Sequence, residues 1–528
     1  MSDWGVDVER TIVRGSPCLV YRDRPRAVPE LLLEARRWDA DRDALVELDR
    51  RVTIAGLEDA VRRMATWLRD DGVGPGDRVA LHASNSIEWV VAFWAVQWAG
   101  GVVVLANGWW KRAMLGPALE LVAPALVLTD APRAAEIPSR HRSRSLADVG
   151  TEAGGGPPLA DDVWRARDED DPAVVVFTAG TTGDPKGATL SHRGVVANIH
   201  NLLLLTGRRP GSSRDARPGP TTLVTVPLFH MGGVQTLGIA AVTGARLVIL
   251  PRRFDAATTL ATIEAERVES WGAVPTMVTR VLDHPDLDRR DTSSLTSLTI
   301  GGSTVAPELA ARARAGFPSA PRGVGTVYGL TESGGTLTAG SGSDLCDRPG
   351  TVGRPLPVVE LRIVGADARG VGEVVARTPA AMLGYWGEGS ELDADGWLHT
   401  GDLGYLDADG YLYIVDRSKD VVIRGGENVA SAHVEARLLS HPAISEAAVL
   451  GLAHTALGEE VAAAVVPIRD ATVSEEELRE HVATALASFE VPTRWWIRRE
   501  PLPTSAVGKV LKRELRDTWP VEIATPSS

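Results

Sequence analysis

Short apolar runs alternate with amphipathic segments over the first 340 residues of this 528-residue chain. The apolar runs are rich in valine and leucine, a pattern typical of strands buried on both faces. The amphipathic segments repeat their apolar positions at helical spacing. Strands that alternate with helices predict parallel sheets covered by helices. The predicted strands are residues 78–81, 102–105, 125–128, 173–177, 222–226, 245–250 and 298–300, and the predicted helices include residues 31–38 and 55–71.

The pattern changes after residue 350. Between 350 and 415 the segments are short and punctuated by glycine and aspartate, which favours antiparallel strands. The remaining residues predict a small α+β domain, with helices at 434–439 and 475–487 and strands at 446–450 and 461–466. A chain of this length is too long for one hydrophobic core, so we expect at least two domains.

Residues 89–106 are apolar except for Gln97 and are long enough to imitate a membrane span. Gly100 and Gly101 interrupt the segment, and three valines follow them. The prediction is therefore a buried helix that turns into a buried strand, with no transmembrane helix.

Composition narrows the class of protein. A hydrophobic content of 44% with 24% charged residues is ordinary for a globular protein in water. The formal net charge of -13, without a long basic run, argues against nucleic acid as a partner. Cys18 and Cys346 match no metal-ligand spacing, and the acidic N-terminus is unlike a signal peptide. A reducing cytoplasm is the expected location.

Arginine carries nearly all the positive charge, because only five lysines occur among 56 basic residues. Arginine replaces lysine on a solvated surface, but not where a compact ammonium group must fit or move. The lysine positions are therefore informative: Lys111, Lys186, Lys419, Lys509 and Lys512. Lys186, Lys419 and Lys509 have predicted roles in the motifs described below, whereas we expect Lys512, which ends the last motif, to be an ordinary surface residue.

The strand at 173–177 leads into residues 178–187, which contain three glycines, three threonines and one lysine. Glycine lets backbone N–H groups turn towards an anion, threonine hydroxyls donate hydrogen bonds, and lysine adds a mobile charge. Lys186 is followed by Gly187, so the stretch is not the common P-loop. Ser191 is predicted to cap the helix that follows. The strand ahead of the stretch favours a phosphate-binding loop over a simple surface turn.

Eight short motifs occur in order along residues 30–515, and together they resemble those of the adenylate-forming superfamily. That superfamily includes acyl-CoA synthetases, luciferase-like enzymes and the adenylation domains of peptide synthetases. The motifs are residues 178–187, 226–230, 301–303, 326–332, 399–402, 416–420, 424–429 and 503–512.

The resemblance implies an α/β fold with two domains. The large N-terminal domain, residues 1–416, would contain two helix-flanked sheets and a distorted β-barrel. The small α+β C-terminal domain, residues 417–528, would be mobile and would swing about a hinge near Lys419. Each pose of the small domain would bring different groups to the same carbonyl.

The resemblance also implies a nucleotide site. Tyr328 would stack on adenine, while Asp402 and Arg417 would bind the ribose. Thr331 would bond the α-phosphate, and Glu332 would hold Mg²⁺, a hard cation that prefers oxygen ligands. The other residues predicted to bind the nucleotide, of which Thr181 is also a candidate metal ligand, are Thr178, Gly180, Thr181, Thr182, Gly183, Lys186, Gly301, Gly302, Ser303, Thr326, Val327, Gly329, Ile414 and Lys509.

A second set of residues is implied for the acyl group and CoA. His230 would border the acyl site, and glycine three residues later is typical of enzymes whose acid lacks an α-amino group. Lys509 would bridge the substrate carboxylate and the α-phosphate and so offset their repulsion. Glu427 would meet His230 in the thioester-forming pose, and Lys419 would serve as the hinge. The other residues predicted to line these sites are Gly233, Gly334, Gly335, Gly425, Gly426 and Phe489.

Two departures from the family pattern affect these expectations. Ala179 replaces a serine in the phosphate loop, which removes one hydroxyl but leaves the backbone in place. Glu490, Val491 and Thr493 stand where relatives carry basic residues, so they cannot grip the CoA 3′-phosphate. The arginines available to replace those basic residues are Arg494, Arg498 and Arg499.

The sequence thus predicts an ATP-dependent, AMP-forming carboxylate–CoA ligase that acts through an acyl adenylate. The expected co-substrates are a small-molecule carboxylic acid, ATP with Mg²⁺ and coenzyme A, with no nucleic acid partner. Small residues near the predicted acyl site favour a medium, long or bulky acid over acetate: Gly232, Gly233, Ser333, Gly334 and Gly335.

Three alternatives stay open. The enzyme could run only one half-reaction, either ligating a preformed acyl adenylate to CoA or adenylating without CoA. It could load a separate carrier protein. It could also be a catalytically silent nucleotide-binding or scaffolding protein, which the lysines retained in the motifs disfavour. A homodimer is compatible with everything in the sequence.

Overall fold

The computed structural model of the protein describes most of the chain. The described residues are 4–148, 159, 163–179, 185–250, 254–302, 305–320, 323–425, 427–468, 471–505 and 510–520. They begin with an antiparallel hairpin of β1 (Val8–Val13) and β2 (Ser16–Tyr21). Within these residues no helix has both the length and the apolar character needed to cross a bilayer.

The first large sheet contains seven strands in the described part of the chain. They are β5 (Arg78–His82), β6 (Val102–Leu105), β7 (Leu126–Thr129), β8 (Ser143–Ser145), β9 (Pro172–Ala179), β10 (Pro185–Ser191) and β20 (Gly384–Tyr385). Their order is β20-β10-β9-β6-β5-β7-β8. The strands from β9 to β8 run parallel, whereas β10 and β20 are antiparallel additions at one edge.

The second large sheet has nine strands among the described residues. They are β3 (Asp43–Glu47), β4 (Arg50–Thr53), β11 (Thr222–Val224), β12 (Leu247–Ile249), β13 (Ser270–Ala273), β14 (Ser297–Gly301), β15 (Val324–Leu330), β16 (Gly335–Gly340) and β17 (Arg354–Pro355). Their order is β17-β16-β15-β14-β13-β11-β12-β3-β4, and the strands from β3 to β15 are parallel. The parallel strands predicted from alternation are thus confirmed.

Helices cover both faces of the two sheets. They are α1 (Val28–Leu33), α2 (Ile54–Asp70), α3 (Ile87–Trp98), α4 (Arg112–Val122), α5 (His192–Thr206), α6 (Met231–Thr243), α7 (Ala256–Ala265), α8 (Pro275–Leu282), α9 (Pro307–Gly316) and α10 (Gly342–Asp347). The largest apolar cluster contains residues of α1, α2, α3, α5 and α6 with inward faces of both sheets. These helices therefore form the layer between the sheets, and α4 and α7 to α9 cover the outer faces.

The segment that imitates a membrane span is a buried helix followed by a strand, as predicted. Ser86 caps α3, its Oγ accepting a hydrogen bond from the Trp89 N–H at 3.1 Å. Gln97, its one polar interruption, donates from Nε2 to the Ala173 carbonyl at 2.7 Å. The Nε2 donor of this buried amide is thus satisfied by strand β9.

A third sheet follows, with β18 (Glu360–Val364), β19 (Gly372–Arg377), β21 (Leu398–Leu406) and β22 (Leu412–Arg417). These strands are antiparallel, in the order β18-β19-β21-β22. The predicted antiparallel region is confirmed, but the strand order does not close in the described residues. The expected β-barrel is therefore an open four-stranded sheet here.

The C-terminal part is a small α+β unit, as predicted. Its strands are β23 (Val422–Arg424), β24 (Glu427–Val429), β25 (Ile444–His454), β26 (Gly458–Pro467) and β27 (Arg494–Ile497). Its helices are α11 (Ser431–Leu439), α12 (Glu475–Ala483) and α13 (Lys512–Asp517). Separate apolar clusters fill its two sides. The division into domains at residues 416 and 417 stays a prediction.

Candidate active site

The predicted ribose ligands lie together beside Tyr328. Asp402 on β21 and Arg417 on β22 are directly opposed in the antiparallel register. The Arg417 Nε lies 3.0 Å from Asp402 Oδ1, and the Tyr328 hydroxyl donates to Asp402 Oδ2 at 2.7 Å. The carboxylate is thus held by a cation and a phenol at once. Three separate strands, β15, β21 and β22, supply this cluster.

Burial dominates the electrostatics of the cluster. Asp402 is 4% exposed. Burial raises the pKa of the Tyr328 phenol well above its ordinary value, and the charge of Asp402 raises it further. Tyr328 therefore stays protonated and acts as a donor. The Arg417 side chain is 42% exposed, so it remains accessible from solvent.

Parallel register brings the predicted adenine segment next to Tyr328. Gly301, at the end of β14, is opposite Val327 on β15. Thr326 and Gly329 lie on the same strand, and Ile414 on β22 pairs with Gly404 of β21. A Cβ on Gly329 would lie 1.9 Å from the Gly335 carbonyl oxygen, so only glycine fits there.

The turn after β15 carries Thr331 and Glu332, and it meets the edge of the first sheet. The Tyr385 hydroxyl donates to Glu332 Oε1 at 3.0 Å. Lys186 Nζ lies 4.5 Å from the centre of the Tyr385 ring and 3.4 Å from Glu388 Oε2. The lysine predicted to bind phosphates and the carboxylate predicted to hold Mg²⁺ therefore both contact one tyrosine.

Lys186 belongs to a strand and not to the loop in which the sequence placed it. It lies on β10, opposite Thr178 of β9 in an antiparallel hairpin. The predicted helix cap after this strand is confirmed, since the Ser191 Oγ accepts from the Gly194 N–H at 3.1 Å. Pairing with β9 therefore fixes the backbone position of Lys186.

His230 follows a loop that a side chain holds in place. Asn85 donates from Nδ2 to the Val226 carbonyl at 2.9 Å and accepts from the Leu228 N–H at 2.8 Å. This bonding replaces strand pairing, so β11 ends at Val224 and not at 226 as predicted. His230 precedes α6, with its ring centre 4.6 Å from that of Phe229.

The glycines near His230 differ in what they do. A Cβ on Gly233 would lie 2.3 Å from the Leu228 carbonyl oxygen, so this glycine permits close backbone packing. A Cβ on Gly232 would meet no atom within 4 Å. Gly232 and Thr236 are one turn apart on α6, joined by a 2.7 Å hydrogen bond from the Thr236 hydroxyl to the Gly232 carbonyl. Gly232 thus borders open space.

Gly334 and Gly335 serve the backbone, which corrects their use as indicators of a roomy pocket. Both have positive φ, 74° and 116°. A Cβ would lie 2.0 Å from the Ala380 carbonyl oxygen at Gly334 and 2.5 Å from Gln235 Nε2 at Gly335. Ser333 is fully buried, and its hydroxyl bonds within the same turn. Of the small residues cited for a large acid, Gly232 is the one beside open space, and its bearing on the size of the acid stays a prediction.

The residues predicted for CoA lie on the C-terminal unit. Gly425 lies in the turn directly after β23, and Glu427 begins β24 on the same hairpin, exposed to solvent. The Arg424 Nη1 donates to the Phe489 carbonyl at 3.1 Å, which brings Phe489 beside this hairpin. Lys419 is exposed in the turn between β22 and β23, as a hinge requires.

Glu490 has a structural role in place of a basic CoA ligand. Its Oε2 accepts from the Ala487 N–H at 2.9 Å, and its Oε1 lies 3.2 Å from His433 Nδ1. Thr493 bonds Glu460 at 2.8 Å. Glu490 and Thr493, whose residue types depart from the family pattern, thus take part in local hydrogen bonds.

Lys512 contradicts the expectation of a surface residue. Its Nζ lies 2.7 Å from Glu435 Oε1 and 2.7 Å from the Ser431 hydroxyl, and its side chain is 19% exposed. Ser431 in turn donates from its N–H and hydroxyl to Asp416. Burial raises the pKa of both carboxyls, Asp416 and Glu435, while Lys512 opposes the rise. Three segments of the chain converge on this ammonium group.

Several predicted site residues lie outside the described part of the chain. They are Gly180, Thr181, Thr182, Gly183, Ser303, Gly426 and Lys509. Their roles stay predictions.

Sequence reasoning missed Tyr385 and Asn85. Tyrosine is scarce, with six in the chain, and the Gly384-Tyr385-Trp386 run has an aromatic pair directly after glycine. This aromatic run was the feature of the sequence that could have drawn attention to Tyr385. The run does not indicate which strand it pairs with, so the contact between Tyr385 and Glu332 was not predictable.

Side chains suited to binding a nucleotide, placed on helix-flanked parallel sheets, are typical of nucleotide-dependent enzymes. The chain matches the model of the AMP-binding enzyme family over residues 33–386. It also matches the AMP-binding enzyme C-terminal domain over residues 433–509. The chain therefore belongs to the AMP-binding enzyme family.

Relatives in this family extend over nearly the whole chain. Feruloyl-CoA synthase of Amycolatopsis sp is 33% identical over 483 residues, covering 88% of this chain and 93% of the relative. A long-chain-fatty-acid–CoA ligase of Mycobacterium tuberculosis is 31% identical, covering 89% and 94%. The structure of o-succinylbenzoate CoA synthetase from Bacillus subtilis with its acyl-adenylate intermediate has a TM-score of 0.79 at 29% identity, covering 93% and 98%.

These similarities confirm the recognition made from the motifs. The fold class and the enzyme class are those predicted, namely an α/β enzyme of the AMP-forming acid–thiol ligases. The silent or scaffolding alternative loses its support.

Proposed function

We propose that this enzyme activates a bulky or extended carboxylic acid with ATP and Mg²⁺ and transfers the acyl group to CoA. The observation that carries the proposal is the pair of linked clusters at β15. Near the end of this strand Tyr328 bonds Asp402 of β21, which is paired with Arg417 of β22. Glu332 lies in the turn at the end of β15, in contact with Tyr385 beside Lys186.

The first cluster suits a nucleoside. The Asp402 carboxylate, held by Tyr328 and Arg417, offers oxygen atoms that accept hydrogen bonds from two ribose hydroxyls. Arg417 is exposed enough to donate to the same sugar. The ring of Tyr328, which follows the residue paired with Gly301, would offer a flat face for adenine.

The second cluster suits phosphates. Lys186 contributes positive charge on β10, where it is paired with Thr178 of β9. The single carboxylate of Glu332 fits Mg²⁺, which takes its other ligands from water and phosphate oxygens. The bound ion would neutralise the charge that develops on the leaving pyrophosphate.

The lysine carried by the last motif, Lys509, would bring the carboxylate onto the α-phosphate in the first step. In the second step the small unit would turn about Lys419 and present the Gly425–Gly426 hairpin to the thiol of CoA. Glu427 lies on this hairpin and is exposed. The CoA phosphates would bind to Arg494 on β27 and to the arginines that follow this strand. Glu490 is acidic and already contacts Ala487 and His433, so it would not bind them.

The open face of α6 favours an acid larger than acetate. Gly232 lies two residues after His230, and its missing side chain leaves space unfilled. The names of the relatives, feruloyl-CoA synthase and a long-chain-fatty-acid–CoA ligase, agree with a large acyl group.

A leucine at Gly232 would test this space. The variant should lower kcat/KM for an arylpropenoic or long-chain acid by roughly tenfold relative to a short acid, because the added side chain fills the acyl site. Steady-state kinetics with both acids measures the ratio. Gly272→Leu is the matched control, since a Cβ at Gly272 also meets no atom within 4 Å. An equal loss for both acids in the Gly232 variant would contradict the placement of the acyl site.

The whole proposal is tested with ATP, Mg²⁺ and a panel of carboxylic acids, with and without CoA. Pyrophosphate exchange, AMP and thioester are measured separately. We expect acid-dependent exchange without CoA and thioester with it. Exchange without thioester would favour carrier loading, and thioester made only from a synthetic acyl adenylate would favour the other half-reaction. Absence of all three products would refute the proposal.

A further inference from the structure

Tyr385 is fixed by the backbone on both sides of its side chain. Its strand, β20, consists of two residues and pairs with β10, Tyr385 lying opposite Ala188. The Leu383 N–H donates to the Thr189 carbonyl at 2.7 Å, and the Trp386 N–H donates to the Gly187 carbonyl at 2.7 Å. The ring is therefore held at a fixed height above the β9–β10 hairpin.

The same segment anchors the turn that carries Glu332. The Met382 N–H donates to the Glu332 carbonyl at 2.9 Å, while the Tyr385 hydroxyl donates to the Glu332 carboxylate at 3.0 Å. Backbone and side chain of Glu332 are thus both bound to residues 382–385. These contacts join the second large sheet, through its turn, to the edge of the first.

The ring of Tyr385 also faces the lysine. Lys186 Nζ lies 4.5 Å from the ring centre, within the range of a cation–π interaction. The Lys186 side chain is 36% exposed and has many rotamers open to it. Contact with the Tyr385 ring favours those rotamers that place Nζ over the ring. The tyrosine therefore contacts the cation with its ring and the carboxylate with its hydroxyl.

A phenol between these two groups has a consequence for ligand binding. Lys186 and Glu332 both contact Tyr385, and a lysine and a carboxylate that are free to meet can form an ion pair. A carboxylate in such a pair would be less available to a metal ion. Tyr385 gives Glu332 a neutral partner through its hydroxyl and contacts Lys186 through its ring, while Lys186 pairs with Glu388 on its other side. Mg²⁺ at Glu332 then replaces a hydrogen bond from a phenol and not a salt bridge to Lys186.

We propose that Tyr385 is a positioning residue that keeps Glu332 and Lys186 apart and orients them for Mg²⁺ and the phosphates of ATP. This inference rests on the proposed function, because it assumes that the turn and the hairpin bind Mg·ATP. The hydroxyl acts on the carboxylate, and the ring acts on the lysine. The two effects are separable by substitution.

The test uses the full-length enzyme with Tyr385→Phe and Tyr385→Leu. Calorimetry measures the binding of ATP with and without Mg²⁺, and pyrophosphate exchange measures the Mg²⁺ requirement. We expect Tyr385→Phe to raise the half-saturating Mg²⁺ concentration about tenfold, the effect of one hydrogen bond to a charged group, with metal-free ATP binding unchanged. Tyr385→Leu should additionally weaken metal-free ATP binding about threefold.

Tyr411→Phe is the matched control. The Tyr411 hydroxyl also donates to a carboxylate, Asp344 Oδ1 at 2.7 Å, and like the bond from Tyr385 this hydrogen bond is partly buried. Its removal should leave the Mg²⁺ requirement unchanged, and thermal unfolding shows whether either variant alters folding. Raised Mg²⁺ should restore Tyr385→Phe but not a variant that is merely unstable.

The outcomes separate the two proposals. Wild-type Mg²⁺ dependence in Tyr385→Phe, or an equal loss in Tyr411→Phe, would overturn the role of Tyr385 and leave the proposed function standing. A wild-type enzyme that binds Mg·ATP but makes no adenylate would count against the proposed function while calorimetry still measures the variants. A wild-type enzyme that binds no ATP would overturn both.

Discussion

Alanine at Lys509 is expected to reduce acid-dependent pyrophosphate exchange by about a hundredfold to a thousandfold. The reason is that two anions, the substrate carboxylate and the α-phosphate, must approach each other in the first step. One positive charge between them offsets the repulsion only where it touches both. Thioester formation from a synthetic acyl adenylate should continue at near the wild-type rate, because the small unit would have withdrawn this lysine by then.

The two half-reactions are measured on the same preparation, by exchange of labelled pyrophosphate and by thioester formation from the preformed adenylate. Lys111→Ala is the matched control, since that lysine is 81% exposed and pairs on the surface with Glu136. It should leave both half-reactions unchanged. An equal loss of both steps in Lys509→Ala would refute the alternation of the small unit between two poses.

Methionine at Lys512 is expected to destabilise the C-terminal unit by about 3 kcal/mol. Removing one member of a buried ion pair leaves the other charge without compensation. Glu435 would keep one hydrogen bond, from the Val449 N–H at 2.8 Å, but would lose the ammonium group that balances its charge. Ser431 would lose a donor to its hydroxyl at the same time. Urea unfolding followed by tryptophan fluorescence measures the change.

A double variant separates charge from packing. Glu435→Gln removes the charge and keeps the oxygen that accepts from Val449, so Lys512→Met with Glu435→Gln should be more stable than Lys512→Met alone. Lys111→Met, at an exposed ion pair, should leave the unfolding midpoint unchanged. If the double variant is as unstable as the single one, Lys512 acts through packing and not through its charge.

The contact of Lys512 also bears on the hinge. Ser431 connects this lysine to Asp416, the residue immediately before Arg417 on β22. Arg417 of the ribose cluster and Asp416, which contacts Ser431 of the small unit, are therefore adjacent residues on one strand. Movement about Lys419 would have to keep or break the contact between Asp416 and Ser431.

Local patterns in the sequence predicted most of the fold. Continuous apolar runs became the parallel strands, and Ser191 caps its helix as expected, because burial and capping depend on neighbouring residues. The motif order predicted the family and the cluster of Tyr328, Asp402 and Arg417, since each motif retains its own residue types.

What the sequence could not decide depends on distant pairing. Tyr385 reaches Glu332 because β20 joins β10 across 197 positions, and no local pattern encodes that register. Lys512 is buried because α13 packs against β25, and Gly334 is small because the Ala380 carbonyl lies against it. The sequence alone therefore identified the residues of this enzyme that carry charge or form turns. Their partners were set by the packing of strands and helices far apart in the chain.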